Sequence, residues 1–341
     1  MSSRRDARRF SRRQIVLRAV ALLVSSIVLY FFLPTLAALF DDWPRLRDLN
    51  PIWFGAAVLV EGASFTCVWW LFAIALRSGK WFAISTSQLA GNALSRMVPA
   101  GAAAGVTLQY RMLATSGIDA AAAGSALTAS TLLQLATLAA LPALGLVFTL
   151  GGQPIADSLR ATAWVGLVAF VVLVGGCWLL AVNDRAVRIV GAAVQWLRNA
   201  VLRNREPLTD VPTRLREQRD EVRQALGSHW WEALLATAGN RALDYFALLA
   251  CLAAVGSDPD PGLVLLAYST AAVLAMIPIT PGGLGFVEAG LSATLVLAGV
   301  PGPDAVLATL AYRLVSFWLP LPMGLVAYLA FKASERRHAP A

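Results

Sequence analysis

Ile279-Thr280-Pro281-Gly282-Gly283-Leu284-Gly285-Phe286-Val287-Glu288 interrupts a long apolar run with a proline and three glycines, then ends on a carboxylate. A second proline, Pro278, stands just before it. Lipid cannot satisfy the amides and carbonyls that such a break exposes, so a break at membrane depth needs protein or a water-lined cavity around it. Glu288, one turn into the following helix, is a further cost in the same ten residues. Two expensive features so close together mark a site.

The composition sets the class in which this reading holds. The chain is 58% hydrophobic and 14% charged, with a mean hydropathy of +0.65, as in a helical protein that crosses a membrane several times. The net charge of +8 is uneven. Arginines cluster at Arg4 to Arg18, between Arg185 and Arg223, and at Arg336 and Arg337, which fits positive-inside topology rather than nucleic-acid binding. Cys67, Cys177 and Cys251 all lie in apolar runs and offer neither a disulfide framework nor a metal site.

From the N-terminus, residues 1–13 form a basic cytoplasmic segment and Gln14 to Phe40 a first span that stays as an anchor. Pro51 to Leu76 returns to the inside at Arg77 and Lys80. Phe82 to Leu113 is broken at Pro99-Ala100-Gly101 into arms shorter than the roughly 20 residues a crossing needs. It is either a single broken crossing or a re-entrant hairpin. The hairpin over 82–113 keeps the later arginine-rich segment inside and is the reading adopted. Ala120 to Leu150 and Ala161 to Val182 are the third and fourth spans. The cytoplasmic insert 183–228 follows, with Val190, Val194, Leu197 and Val201 at helical spacing, as in a helix lying at the interface. Trp230 to Val255 is the fifth span, 263–298 a second broken hairpin, Ala305 to Phe331 the sixth span and 332–341 a cytoplasmic tail.

The expected fold is therefore an all-α integral membrane protein, with about six transmembrane helices and two re-entrant hairpins. The halves 14–150 and 161–331 share one order of elements but start from opposite sides. Glu61 precedes Pro99 by about the same distance as Asp244 precedes Pro281. Such inverted repeats with discontinuous helices build many secondary transporters, with the site near the midplane.

Glu61, Arg96, Arg241, Asp244, Glu288 and Arg313 form the intramembrane ionisable set. Facing lipid, six such groups would cost on the order of 15 kcal/mol on insertion scales, so they face the bundle interior. Arg241 and Asp244 are one turn apart and are placed either to pair locally or to act as a gate or headgroup ligand. Glu288 either caps its helix or contacts a proton or an amine. Arg313 either pairs with Glu288 or holds a lipid phosphate through paired hydrogen bonds. Asn92 and Arg96 lead into the first break, and Tyr110 and Arg111 anchor that hairpin at the headgroups. Asn240, Pro281, Gly282, Gly283 and Gly285 complete the candidate substrate-binding or gating set. No nucleophile elbow, phosphate loop, zinc spacing or dinucleotide fingerprint occurs, so no catalytic residue, metal or cofactor is assigned.

The segment Pro278 to Gly290, followed by Tyr312-Arg313, resembles the signature of the transmembrane region of lysylphosphatidylglycerol synthetases, the flippase-like domain family. Asn92-Ala93-Leu94-Ser95 with Pro99, and Tyr110-Arg111-Met112-Leu113, resemble its first-half motif, and Asn240 and Asp244 resemble the polar pair before the second. The likeness covers roughly residues 15 to 331, without the aminoacyl-transferase domain of full synthetases. It departs at Gly101-Ala102-Ala103-Ala104, where many members carry an arginine and an acid, and this shifts the chemistry toward the second half.

What the resemblance implies is translocation of lipid. The residues and the resemblance together lead to an inner-membrane protein, both termini cytoplasmic, that translocates or binds an anionic-headgroup lipid between leaflets. The partner is a membrane phospholipid or lipid-linked substrate, with a homo-oligomer or a separate lipid-modifying enzyme as further partners and no nucleic acid. Two alternatives stay open: a membrane-embedded transferase acting on a lipid-linked substrate, and a non-transporting partner subunit.

Overall fold

The computed structural model describes residues 49–98, 101–149, 182–201, 210–275 and 281–338, with scattered positions between 164 and 180. The expected first span, most of the fourth, and residues 99–100 and 276–280 at the two breaks lie outside the described residues. Every regular element among those described is helical. Four stretches are long and apolar enough to cross a membrane: Pro51–Leu76, Ala120–Gly145, Val211–Val255 and Gly302–Arg337.

Helix α1 (Pro51–Leu76) is capped by Asn50, whose side chain accepts from the Ile52 amide at 3.0 Å, and Pro51 occupies the first turn, where its missing N–H costs nothing. It ends at Arg77 in the left-handed region. Helices α2 (Trp81–Met97) and α3 (Ala102–Thr115) follow. At about 1.5 Å per residue each is shorter than a hydrocarbon core of about 30 Å. They pack side by side where Gly91 meets Gly105, and a Cβ on Gly105 would stand 2.3 Å from the Gly91 carbonyl oxygen. Only glycine on both helices lets the backbones approach this closely.

Helix α4 (Ala120–Thr149) contains Pro142. In the polar segment, α5 (Asp184–Val201) packs on α6 (Val211–Leu226), with Gly191 against Pro212 and Arg219 bridging to Asp184 at 2.7 Å. Ile189, Val194, Trp196 and Leu197 of α5 are exposed. The fifth span begins at Trp230 as expected, as α7 (Trp230–Val255). It follows a 3₁₀ turn at Gly227–His229, and Gly227, at φ 49° and ψ −131°, ends α6 and separates it from that turn.

Helix α8 (Pro261–Leu274) is capped by Asp260, which accepts from the Leu263 amide at 3.1 Å. The 3₁₀ turn Pro281–Gly283 leads into α9 (Phe286–Leu297). The last stretch is α10 (Gly302–Arg313), a π-turn at Leu314–Trp318, and α11 (Pro320–His338). The span expected from Ala305 to Phe331 falls within this stretch, and the π-turn lies inside it.

Burial runs opposite to that of a water-soluble protein. Leu59, Trp70, Leu325, Val326 and Leu329 are exposed, while Glu61, Gln88, Gln109 and Arg313 are buried. The packing is also reciprocal between halves. α1 and α7 lie together at the centre. α4 packs on α8 with Gly145 against Leu266, and α11 packs on α2 with Gly324 against the Leu89 carbonyl. A helix that follows each broken segment thus packs on the first arm of the other half's broken segment.

Candidate functional site

The 281–283 break is built by two glycines in the left-handed region, Gly282 at φ 60° and Gly283 at φ 72°. A Cβ on Gly282 would lie 2.3 Å from the Phe317 ring and 3.1 Å from the Arg96 carbonyl oxygen. The turn therefore abuts the end of α2, beside the first break. Gly285, at φ 79°, starts α9.

Arg313 ties this turn to the last span. Its Nε donates to Glu288 Oε1 at 2.7 Å, its Nη2 donates to the Gly282 carbonyl at 3.1 Å, and its guanidinium lies 4.2 Å from the Phe317 ring centroid. Of the two roles left open for Arg313, the pairing with Glu288 is the one formed. Glu288 lies in the first turn of α9, where the helix dipole favours a negative charge. Its carboxylate faces the arginine rather than capping backbone amides.

Arg96 reaches the same aromatic ring from α2. Its guanidinium lies 5.4 Å from the Phe317 centroid, and Nη1 donates to the carbonyl of Ser316. That carbonyl is free for a local reason. In a regular helix it would accept from the amide of residue 320, but Pro320 has no N–H. The π-turn, with the Leu319 amide donating to Leu314 at 2.9 Å, accommodates this gap. Pro320, Ser316 and Phe317 were absent from the candidate set, although the proline four residues after Ser316 carries the signal.

Of the two roles left open for Arg241 and Asp244, the local pair is not formed. Both oxygens of Asp244 accept tyrosine hydroxyls instead, from Tyr312 at 2.7 Å and Tyr268 at 2.6 Å. These two tyrosines were also missed. Arg241 lies against Tyr268, and its Nε is buried without a hydrogen-bond partner. Asn240 donates to the Ser64 carbonyl of α1 at 3.1 Å, so α1 and α7 are bonded through polar groups at their centre. Glu61, 6% exposed, sits against Asp244, and its Oε2 has no hydrogen-bond partner.

These groups enclose a cavity of about 700 Å³ between the halves. Of the candidate residues, Glu61, Asn92, Arg96, Asn240, Arg241 and Asp244 line it, and so do Gly282, Gly283 and Arg313. Gly285 and Glu288 stand behind that wall. Pro281 opens the 3₁₀ turn. Tyr110 and Arg111 belong to the half of α3 away from the break. A chamber with guanidinium groups and carboxylates inside an apolar bundle can receive an anion, a proton or a zwitterion.

Residues 18–324 match the family described as the lysylphosphatidylglycerol synthase TM region. Two UPF0104 membrane proteins of Methanothermobacter thermautotrophicus are similar to part of this chain. One is 30% identical over 93 residues, covering 27% of this chain and 26% of the relative; the other is 34% identical over 85 residues, covering 24% and 25%. A UPF0104 membrane protein of Pyrococcus horikoshii is 41% identical over 61 residues, covering 18% of each chain. Each match thus spans about a quarter or less of the relative's length. No solved structure matches the chain. With its signature elements gathered around one cavity and the match running over most of its length, the chain belongs to the family of the lysylphosphatidylglycerol synthase transmembrane region.

Proposed function

We propose that this membrane protein takes up a lipid with an anionic headgroup in the cavity between its halves and passes it between the leaflets of the cell membrane, without chemical change. The observation that carries the reading is the charged chamber of about 700 Å³ where the glycine turn meets the end of α2. In a low-dielectric bundle, unsatisfied guanidinium donors attract a phosphodiester strongly. Arg313 is already engaged by Glu288 and Gly282, and Arg96 by the Ser316 carbonyl, so the first contact with phosphate falls to Arg241, whose Nε has no partner.

In this reading the described spans belong to six, both broken segments are re-entrant, and both termini are cytoplasmic. The short paired arms of α2 and α3 and the reciprocal packing of α4 on α8 and α11 on α2 support an inverted repeat. Rocking one half against the other would then alternate access. A partner subunit without transport would pair its polar groups fully and leave no chamber, whereas Arg241 Nε and Glu61 Oε2 are unpaired at a sizeable one. One observation favours a transferase acting on a lipid-linked substrate, namely the carboxylate of Glu61 at the chamber wall.

Reconstitution in vesicles carrying labelled phosphatidylglycerol separates the two readings. Transport predicts that labelled lipid reaches the opposite leaflet unchanged, and that Arg241→Ala slows this. Unmoved phospholipid together with a chemically altered lipid-linked donor would establish the transferase instead.

A further inference from the structure

The pair Glu61–Asp244 has no counterpart elsewhere in the described membrane-embedded part of the chain. The two carboxyl groups come from α1 and α7, each about one turn from the Asn240–Ser64 hydrogen bond that joins these helices, and both line the same chamber. Asp244 already accepts two hydroxyls, from Tyr268 and Tyr312. These bonds engage both carboxylate oxygens. Glu61 has a different environment: it lines the chamber as a buried residue, and its Oε2, itself shut off from solvent, has no hydrogen-bond partner. A proton on Glu61, shared with the neighbouring carboxylate, supplies the missing hydrogen bond. Two adjacent carboxylates in a site of low dielectric behave as a pair in this way.

The charge balance of the chamber gives that proton a consequence. Arg313 is neutralised by Glu288 behind the wall. The remaining lining charges are Arg96 and Arg241 against Glu61 and Asp244, so the chamber is neutral when both acids are ionised. A phosphodiester monoanion entering it would leave one uncompensated negative charge, and a proton on the pair removes it. Facing Glu61 are Asp244 and Cys251 of α7, Arg96 of α2 and Tyr312 of α10. Around Asp244 are Tyr268 of α8 and Tyr312, and Arg241 lies against Tyr268.

We propose that the Glu61–Asp244 pair is a proton-binding site whose loading is linked to anion binding in the same chamber, so that an anionic headgroup enters together with one proton. This rests on the reading of the chamber as a headgroup site. Linkage is reciprocal: protonation strengthens anion binding by the factor by which the anion favours protonation. Lowering the pH through the range in which the pair titrates therefore tightens binding, by at most about tenfold per pH unit for one proton. In transport, the same linkage lets a proton gradient drive lipid movement.

The test combines two readouts on the full chain in detergent. Binding of soluble short-chain phosphatidylglycerol is measured across a pH series, with short-chain phosphatidylcholine as the uncharged control. Infrared spectroscopy records the C=O stretch of a protonated carboxyl group in the unliganded and lipid-bound protein. The expected result is phosphatidylglycerol affinity that rises as pH falls, and a carboxyl band that grows on binding. Glu61→Gln, which mimics the protonated side chain, should lose both the pH slope and the band while binding tightly at high pH. Asp244→Asn, as a second variant, should also flatten the slope. Binding of the wild type that is equally tight at every pH, or a Glu61→Gln variant that keeps the slope, overturns the proton linkage and leaves the lipid site standing. No binding of phosphatidylglycerol at any pH overturns the lipid reading, and the carboxyl band then decides on the proton site by itself.

Discussion

Replacing Arg313 by methionine removes the charge that holds the glycine turn while keeping an unbranched chain over the Phe317 ring. Three contacts are at stake: the ion pair to Glu288 at 2.7 Å, the hydrogen bond to the Gly282 carbonyl at 3.1 Å, and stacking at 4.2 Å from the ring centroid. Both partners of the pair are close to buried, at 9% and 11% side-chain exposure. Breaking such a pair from one side strands a charge, and costs about 3–5 kcal/mol. The lost bond to Gly282 falls within that range because the same guanidinium makes both contacts. Methionine recovers part of the stacking through its sulfur. Removing both charges together, in Glu288→Leu with Arg313→Met, strands neither and costs about 2 kcal/mol or less. The double variant is therefore more stable than the single one. Thermal unfolding in detergent micelles measures this, and the single substitution should lower Tm by roughly 6–15 °C. If Arg313→Met costs under about 1 kcal/mol, or if the two substitutions add, the pair does not hold the turn and the reasoning fails.

Other expectations follow from particular contacts. Gly282→Ala places a methyl group 2.3 Å from Phe317 at φ 60°. It should cost about 1–3 kcal/mol and slow lipid movement, whereas Gly302→Ala, with nothing within 4 Å, should change neither. Gly105→Val drives α3 off α2 through the Gly91 carbonyl; a comparable loss of stability is expected, and an unchanged Tm would refute the close approach. Tyr268→Phe and Tyr312→Phe each remove one hydrogen bond to a charged acceptor, about 1.5–3 kcal/mol apiece, and in the pair of substitutions the losses should not simply add. For topology, single cysteines at Asp258 and Glu217 in a cysteine-free background should label from the outer face and the inner face respectively. Outer labelling at Glu217 would overturn the hairpin assignment.

Much of the architecture was legible because membrane helices obey a length rule and because proline and glycine break them. The spans at Pro51–Leu76 and Ala120–Thr149 and the two interrupted segments follow from that alone. The gathering of Glu61, Arg96, Arg241, Asp244 and Arg313 around one chamber was legible from cost, since none of them can face lipid. Partner choice was not. Arg241 and Asp244 are one turn apart in sequence, yet Asp244 turns to two tyrosines that lie 24 and 68 residues away, and helical spacing gives no hint of either. The π-turn at Leu314–Trp318 was not legible, because a proline inside a long apolar span is compatible with a kink as well as with a π-turn. Its effect, a carbonyl left for Arg96, depends on which helix packs alongside.

The central claim is that an anionic headgroup binds in the chamber between the halves. Photoreactive phosphatidylglycerol, incorporated in vesicles with the protein and activated by light, tests it by the positions of the cross-links. The account predicts cross-links on chamber-lining segments around Asn92–Arg96, Asn240–Asp244 and Gly282–Gly283, suppressed by excess unlabelled phosphatidylglycerol and weakened by Arg241→Ala. Cross-links confined to outward-facing residues such as Leu59, Leu325 and Leu329, and unchanged by competitor, would contradict it.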